Sequence, residues 1–372
     1  MKTLNFDFSD DEKLVRDQTT RLLADQCDTK VVRSVLEGRA IYAEEVWKGL
    51  CEMGLPSTAI PESLGGVDAG YLTLCLVAQS LGAKVAPTPF SSTVYLFAEA
   101  VLQCGSEAQK QALLPKIAAG ELIGALAVTE DRTELNADYL SCRVSAGKLT
   151  GTKFAVADGG IADCAVVLAK GDAGPGLYLV DLKGSGVSRT NLETVDPTRN
   201  TARIEFSGAS AELLGSMAGH GMDQLDRVHN RAAVLFAFEQ IGGAQAALDM
   251  AVNYAKGRYA FGRPIGSFQG LKHMMADMYV ALKLAESNCY YAAWALATDA
   301  PELPLAAATA RVSATQAYQL CSRDNIQVHG GMGFTWEFDC HLYYRRSNYL
   351  ALELGGLSVW ENKLVNALPS AA

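Results

Sequence analysis

The sequence predicts an α+β protein with a helical N-terminal domain, a middle β-domain and a C-terminal four-helix bundle. Two observations predict this order. Long segments with apolar residues at helical spacing occupy both ends of the chain. Between them lie short segments rich in Val, Leu and Thr, separated by clusters of turn residues. Because strands are grouped and do not alternate with helices, we expect segregated α and β regions, with domains at residues 1–122, 123–215 and 216–372.

The N-terminal domain is predicted to consist mainly of helices. Ser9 is followed by three acidic residues, which is a helix-capping sequence, and leucines continue from it at helical spacing. A loop rich in Pro and Gly is expected at residues 60–66. The other helical segments are residues 47–53, 71–81, 94–103 and 105–119.

Six short segments in the middle of the chain are strand candidates. Turn-like clusters such as Ser145-Ala146-Gly147 separate them, which favours a small barrel or sandwich of about 90 residues. The candidates are residues 123–128, 139–144, 148–156, 162–169, 177–182 and 202–206.

The C-terminal domain contains four long helical segments and one sharp elbow. The elbow lies at residues 254–273, because a Phe-Gly pair and an Arg-Pro pair interrupt the helical pattern there. Ser267 is predicted to cap the helix that restarts after it. Three cations and one aromatic ring gather at this corner, namely Arg258, Arg263, Lys272 and Phe261. The helical segments are residues 222–254, 271–298, 305–328 and 339–367, the last with breaks.

Bulk properties exclude several function classes. The net charge of −9 over 372 residues argues against nonspecific nucleic-acid binding. Nine scattered cysteines without a CxxC pair predict reduced thiols and a cytoplasmic location. Five histidines without metal-ligand spacing predict no metal site. The N-terminus has no apolar signal core, and no uninterrupted apolar run reaches about 18 residues, so no membrane span is expected.

Six motifs in one order resemble the acyl-CoA dehydrogenase family over nearly the whole chain. The most specific is R-x-x-F-G-x-P-I-x-x-F-Q at residues 258–269. A second, Q-x-x-G-G-x-G, covers residues 327–333. The others are a loop with Pro-Glu and Gly-Gly at residues 52–66, a segment at 105–121, Thr129-Glu130, and L-x-G-x-K at 149–153. The resemblance implies the family fold, assembled as tetramers or dimers, with an elbow that reaches the cofactor of a neighbouring subunit.

The resemblance also implies FAD as the cofactor, an acyl-CoA as substrate and an electron-transfer flavoprotein as electron acceptor. A guanidinium fork suits the diphosphate, and glycines let the backbone approach closely. By motif position, the flavin pyrimidine edge would meet Val128 and Thr129. The adenosine-diphosphate half would meet Arg258, Phe261, Gln269, Gln327, Gly330 and Gly331.

The catalytic base departs from the family pattern. The family reaction removes an α-proton with a carboxylate while a hydride leaves Cβ. In most members the base is the Glu of a Y-E-G-T segment, and that position is Leu354 here. A slip of one residue would bring Glu353 there, but one residue turns a helical side chain by about 100°, so a bulge or a bent helix end is required. The other family position for the base is Ala232. On the same segment, Glu239 is expected to be a buried partner of an arginine.

Motifs around the reactive ring are also altered. The family's W-I-T/S aligns with Ala155-Val156-Ala157, which lack the aromatic ring and the hydroxyl, and the G-S-D loop is replaced by residues 131–135. Two main interpretations remain open, and a third is an acyl-CoA-binding flavoprotein on the same scaffold that does not dehydrogenate thioesters. The chain is a self-sufficient enzyme that uses Glu353 or another carboxylate, or it is a non-catalytic subunit that completes the FAD site of an α2β2 assembly with a related chain. Such assemblies often act on bulky, steroid-derived acyl groups. Residues 341–346 could contact CoA phosphates but are expected to form packing and interface ion pairs.

Overall fold

A computed structural model describes residues 8–131 and 135–368 of the chain. Its order of elements is helices, then strands, then helices, which confirms the predicted α+β class. The first six helices are α1 (Asp10–Gln26), α2 (Thr29–Leu36), α3 (Glu44–Glu52), α4 (Gly70–Ala83), α5 (Glu99–Cys104) and α6 (Glu107–Ala118), with a π-helical segment at Ser91–Ala98. The N-terminal segment that was expected to lack a signal core lies mostly outside the described residues.

The chain divides into two compact units. One contains Arg33–Gly70 and Pro87–Ala232, and it includes the whole sheet. The other contains Met1–Val32, Tyr71–Ala86 and Ala233–Ala372. The division into three domains at residues 122/123 and 215/216 stays a prediction. Within the described ranges, no helix is long and apolar enough to cross a bilayer, and no group of side chains has the composition of a metal site.

The first helix, α1, begins with a capping box. The Ser9 hydroxyl accepts a hydrogen bond from the Glu12 N–H at 3.3 Å, and the Glu12 carboxylate accepts one from the Ser9 N–H at 2.6 Å. This reciprocal pair satisfies two backbone donors that would otherwise lack partners. The capping box predicted from residues 9–12 is therefore confirmed.

The β-domain is one curled, mixed sheet of eight strands in the order β6-β7-β3-β2-β4-β5-β8, with β1 pairing in parallel with β4. The sequence did not predict β6 or β8. β6 lies at the end of the sheet order and, among the described residues, pairs with β7 alone, so most of its polar residues are exposed. The strands are β1 (Gly124–Ala127), β2 (Arg143–Ser145), β3 (Lys148–Ala157), β4 (Cys164–Gly171), β5 (Gly174–Asp181), β6 (Val187–Asn191), β7 (Thr201–Ser210) and β8 (Glu212–Leu213).

The C-terminal helices are α7 (Gly221–Gly257), α8 (Gln269–Ala297), α9 (Leu303–His329), α10 (Cys340–Leu352) and α11 (Leu357–Ala367). The fourth helical segment is therefore broken at residues 353–356. Close packing of α7 depends on glycines. A Cβ at Gly242 would lie 2.0 Å from the Gln79 carbonyl oxygen, and one at Gly243 would lie 2.4 Å from the Tyr318 ring.

The elbow is a short β-hairpin with a two-residue turn, and a 3₁₀ turn follows it. β9 (Tyr259–Ala260) pairs with β10 (Arg263–Pro264), and the two residues between them, Phe261 and Gly262, have φ of +54° and +78°. The expectation that Ser267 caps α8 is wrong. Its hydroxyl donates to the Pro264 carbonyl at 2.7 Å and closes the 3₁₀ turn, so α8 begins without a side-chain cap.

Candidate functional site

The elbow presents its predicted cofactor ligands to solvent. Phe261 is 94% exposed, and its ring forms a T-shaped pair with the Phe268 ring at a centroid distance of 6.2 Å. The Arg263 guanidinium lies 4.1 Å from the centroid of the Phe268 ring. The Arg258 carbonyl accepts a hydrogen bond from the Ile265 N–H at 2.8 Å, which fixes the start of the hairpin. Arg258 and Gln269 are exposed, and Arg258 forms no ion pair with any residue that the structure describes.

The glycine turn after α9 leaves its backbone open. Gly330 has φ of +59° and ψ of −139°, which only glycine adopts readily. A Cβ at Gly330 or Gly331 would meet no described atom within 4 Å, so a ligand could approach the main chain there. Gln327 is exposed and lies two residues before the last residue of α9.

One aromatic stack joins the elbow to the glycine turn. The Tyr254 ring, in the last turns of α7, stacks on the His329 imidazole with centroids 4.0 Å apart. His329 Nδ1 lies 2.8 Å from the Asn325 carbonyl oxygen, and burial lowers the pKa of the imidazole, which favours the neutral ring. The structure therefore brings the two predicted adenosine-diphosphate motifs to the same end of the helices.

The residues present there fit the diphosphate half of FAD. The site offers a guanidinium without an ion-pair partner among the described residues, two exposed amides and one exposed ring, beside backbone without a Cβ. A guanidinium binds phosphate oxygens in a bidentate manner, and amides can donate to and accept from an adenine or a ribose. In this chain Arg258, Gln269, Gln327 and the turn at Gly330-Gly331 would hold that half.

In the β-domain, Val128 and Thr129 follow β1 directly. The Val128 carbonyl accepts from Lys153 Nζ at 2.8 Å, and the Thr129 carbonyl accepts from the Phe154 N–H at 2.9 Å. Both carbonyls are therefore engaged within the protein, and the Thr129 side chain is exposed.

A buried ion pair fixes the segment after β1, residues 128–130, and the sequence alone did not predict this pair. Lys153 Nζ lies 2.8 Å from a carboxylate oxygen of Glu130, with side-chain exposures of 0% and 7%. Burial alone would raise the pKa of Glu130. Hydrogen bonds from Lys153 and Ser141, together with the lysine charge, outweigh burial and lower that pKa to about 2. The motifs Thr129-Glu130 and L-x-G-x-K are therefore in contact, because Glu130 of the first forms an ion pair with Lys153 of the second.

The ring end of the predicted flavin site has few donors. β3 is irregular between Lys153 and Val156, and Ala155 has φ of +50° and is exposed. Neither Ala155 nor Ala157 supplies the aromatic wall or hydroxyl of the family motif. Of the replaced loop, Asp131 is exposed and Arg132–Glu134 lie outside the described residues. The donor set thus fits the adenosine-diphosphate half better than the ring.

The predicted base lies where the last long helical segment bends. α10 ends at Leu352, Glu353 has φ of −60° and ψ of 135°, and Leu354 has φ of +63°. The bent helix end that a slip of one residue requires is therefore present. Glu353 and Leu354 are both partly exposed, and the Trp360 indole N–H donates to the Leu354 carbonyl at 3.2 Å.

The alternative position for the base offers no carboxylate. Ala232 is completely buried, and the neighbouring Arg231 forms a buried ion pair with Glu99. Glu239 is also completely buried, and Arg346 Nη1 lies 3.5 Å from its carboxylate, which confirms the expected arginine partner. Because Arg346 has no exposed surface, it cannot contact CoA phosphates in this conformation, and the packing interpretation holds for this residue.

Two family models match the chain. The model of the acyl-CoA dehydrogenase N-terminal domain matches residues 9–121, and that of the C-terminal domain matches residues 219–359. The chain is 34% identical over 340 residues to acyl-CoA dehydrogenase IpdE2 of Mycobacterium tuberculosis, with 91% of each protein covered.

Solved structures agree with these matches over the full length. One is the ChsE4-ChsE5 complex from Mycobacterium tuberculosis, with a TM-score of 0.90, 26% identity, and coverage of 99% of this chain and 100% of that one. Another comes from work on the electron transferring flavoprotein of Acidaminococcus fermentans and flavin-based electron bifurcation. Its TM-score is 0.91, its identity 25%, and coverage is 99% of this chain and 100% of that one.

Proposed function

Because the chain belongs to the acyl-CoA dehydrogenase family of oxidoreductases, we propose that it catalyses FAD-dependent α,β-dehydrogenation of an acyl-CoA thioester. The observation that carries this proposal is the stack of Tyr254 on His329. It sets the elbow beside the glycine turn, so that Arg258 and the open backbone of Gly330 can act on one diphosphate.

When bound, FAD supplies the two-electron oxidising power that removes the hydride from Cβ of the substrate. The protein contributes orientation and proton transfer. Arg258 would bind the diphosphate, Phe261 would cover the adenosine half, and the Thr129 side chain would contact the pyrimidine edge of the ring. Glu353 takes the α-proton of the thioester, because it is the carboxylate at the bend where the family places its base.

The second candidate function is that of a subunit that completes the FAD site of an α2β2 dehydrogenase. Two observations favour it. The family position of the base is Leu354, and β3 carries Ala155 and Ala157 where the ring would need an aromatic wall and a hydroxyl. A similar solved chain comes from a complex of two named proteins, ChsE4 and ChsE5. Ala155 in place of the family's bulky aromatic residue would leave more room for a bulky acyl group, including a steroid-derived side chain.

The absorbance spectrum of the purified chain, together with its mass in solution, separates the two functions. A self-sufficient enzyme binds about one flavin per chain as a homo-oligomer, and an acyl-CoA bleaches the flavin under anaerobic conditions. Electrons then pass to an added electron-transfer flavoprotein. A colourless chain that gains flavin and activity only with a related partner chain supports the α2β2 function. Full flavin occupancy without bleaching by straight-chain or steroid-derived thioesters contradicts both.

A further inference from the structure

A completely buried arginine of α9 reaches the end of α10. Arg311 is 1% exposed, and its Nη1 donates to Gln240 Oε1 at 2.6 Å. Its Nη2 donates to two backbone carbonyls, those of Leu350 and of Glu353, the latter at 2.7 Å. One guanidinium therefore connects α7, α9 and the residue proposed as the base.

Both bonded carbonyls are groups that a helix end leaves without intrahelical partners. The last four carbonyls of a helix need other donors, and a cation near the C-terminus also interacts favourably with the helix dipole. Burial lowers the pKa of Arg311 to about 10, while Glu353 and Glu239 raise it. Arg311 is therefore charged at neutral pH, and its charge acts on Glu353 in return.

The guanidinium is itself held in place. The Gln240 side chain also donates from Nε2 to Thr315 Oγ1 at 3.0 Å, which fixes which way its amide oxygen points. On the other side of the bend, the Trp360 indole N–H binds the Leu354 carbonyl, and the Gly355 N–H binds the Leu352 carbonyl at 3.1 Å. Arg311 of α9 and Trp360 of α11 therefore both donate hydrogen bonds to backbone carbonyls of the bend.

We propose that Arg311 is a positioning residue for Glu353. By bonding the carbonyls of Leu350 and Glu353, it ends α10 at Leu352 and fixes the backbone direction from which the Glu353 carboxylate projects. This role deepens the proposed function and rests on Glu353 as the base. Arg311 does not touch the substrate in this role.

The test compares Arg311→Met and Arg311→Lys with a matched control, Arg323→Met, on the same helix. Arg323 is exposed and pairs only with its neighbour Asp324 among the described residues. Both Arg311 variants should lower kcat about 10- to 100-fold with little change in KM, because a small misplacement of a catalytic group is costly. Arg311→Met should also move the acid limb of the kcat profile to higher pH, because a lost positive charge disfavours a nearby carboxylate. Arg311→Lys should leave that limb in place.

A second readout does not depend on activity. Amide hydrogen exchange at residues 353–356 should become faster in both Arg311 variants and stay unchanged in Arg323→Met. If Arg311→Met does not fold, the kcat and the amide hydrogen exchange of Arg311→Lys test the positioning role by themselves. Wild-type kcat and exchange in Arg311→Lys, with an inactive Glu353→Gln, would overturn the positioning role only. An inactive wild-type chain, or a fully active Glu353→Gln, would overturn the proposed base and this role with it.

Discussion

The ring of Tyr254 stacks on the imidazole of His329 at 4.0 Å, and this contact sets the elbow beside the glycine turn. Phe338 meets both rings edge-on, at 5.8 and 5.5 Å. The cluster is therefore a fixed aromatic support under two segments that carry the predicted ligands of FAD.

Removal of the Tyr254 ring should make the elbow and the glycine turn less rigid at the same time. We expect Tyr254→Ala to weaken FAD binding about tenfold, because aromatic pairs contribute about 0.5–1.5 kcal/mol beyond their area. Tyr254→Phe keeps the stack and is the matched control. Flavin titration of the apoprotein, followed by fluorescence, measures the change. Equal affinity in Tyr254→Ala and wild type would show that the stack does not organise the site.

Loss of the Arg258 guanidinium should act on the cofactor without affecting the fold. A hydrogen bond to a charged group contributes about 1.5–3 kcal/mol, so Arg258→Met should weaken FAD binding about 10- to 100-fold. The thermal midpoint of the apoprotein should not change, because Arg258 is exposed and has no ion pair among the described residues. Lys256→Met removes an exposed cation from the last turn of α7, two residues before Arg258, and serves as control. An unchanged flavin affinity in Arg258→Met would contradict the assigned diphosphate contact.

The proposed base can be tested against the family position next to it. Glu353→Gln should lower kcat by about 10²–10⁴-fold at unchanged flavin content, because it removes the group that accepts the α-proton. Leu354→Gln is the matched control and should stay within about threefold of wild type. Steady-state kinetics and flavin absorbance give both quantities. A Glu353→Gln variant as active as wild type would assign the base elsewhere or to a partner chain.

The Glu130–Lys153 pair should make stability depend on acid pH. The pKa of Glu130 is lowered from 4.5 to about 2 in the fold, so its stabilising contribution is complete above pH 4.5 and is lost as pH falls towards 2. Glu130→Gln should lower the free energy of unfolding by about 3 kcal/mol at pH 7, because it leaves a buried lysine unpaired.

Urea denaturation at several pH values measures both effects. The double variant Glu130→Leu with Lys153→Met is the control, and it should lose less stability than Glu130→Gln because neither charge remains buried. A wild-type stability curve with the same slope as that of Glu130→Gln between pH 5 and 3 would contradict the assignment.

Much of the fold and part of the site could be predicted from local signals. The capping box at Ser9, six of the eight strands of the sheet and the break at residues 261–264 each depend on neighbours in the sequence. The prediction of a helix cap at Ser267 is wrong because a nearby backbone carbonyl competes for its hydroxyl. Ser267 has the residue type of a cap, but its hydroxyl bonds the Pro264 carbonyl three residues earlier.

By itself, the sequence determined the order of helices and strands, the motifs shared with the acyl-CoA dehydrogenase family, and the absence of the usual base from its usual position. Only the tertiary structure decided how those motifs are supported. Lys153 meets Glu130 across 23 residues, and Arg311 meets the Glu353 carbonyl across 42. Buried charges need partners, and a helix end needs donors, but which distant residue supplies them depends on how the elements pack.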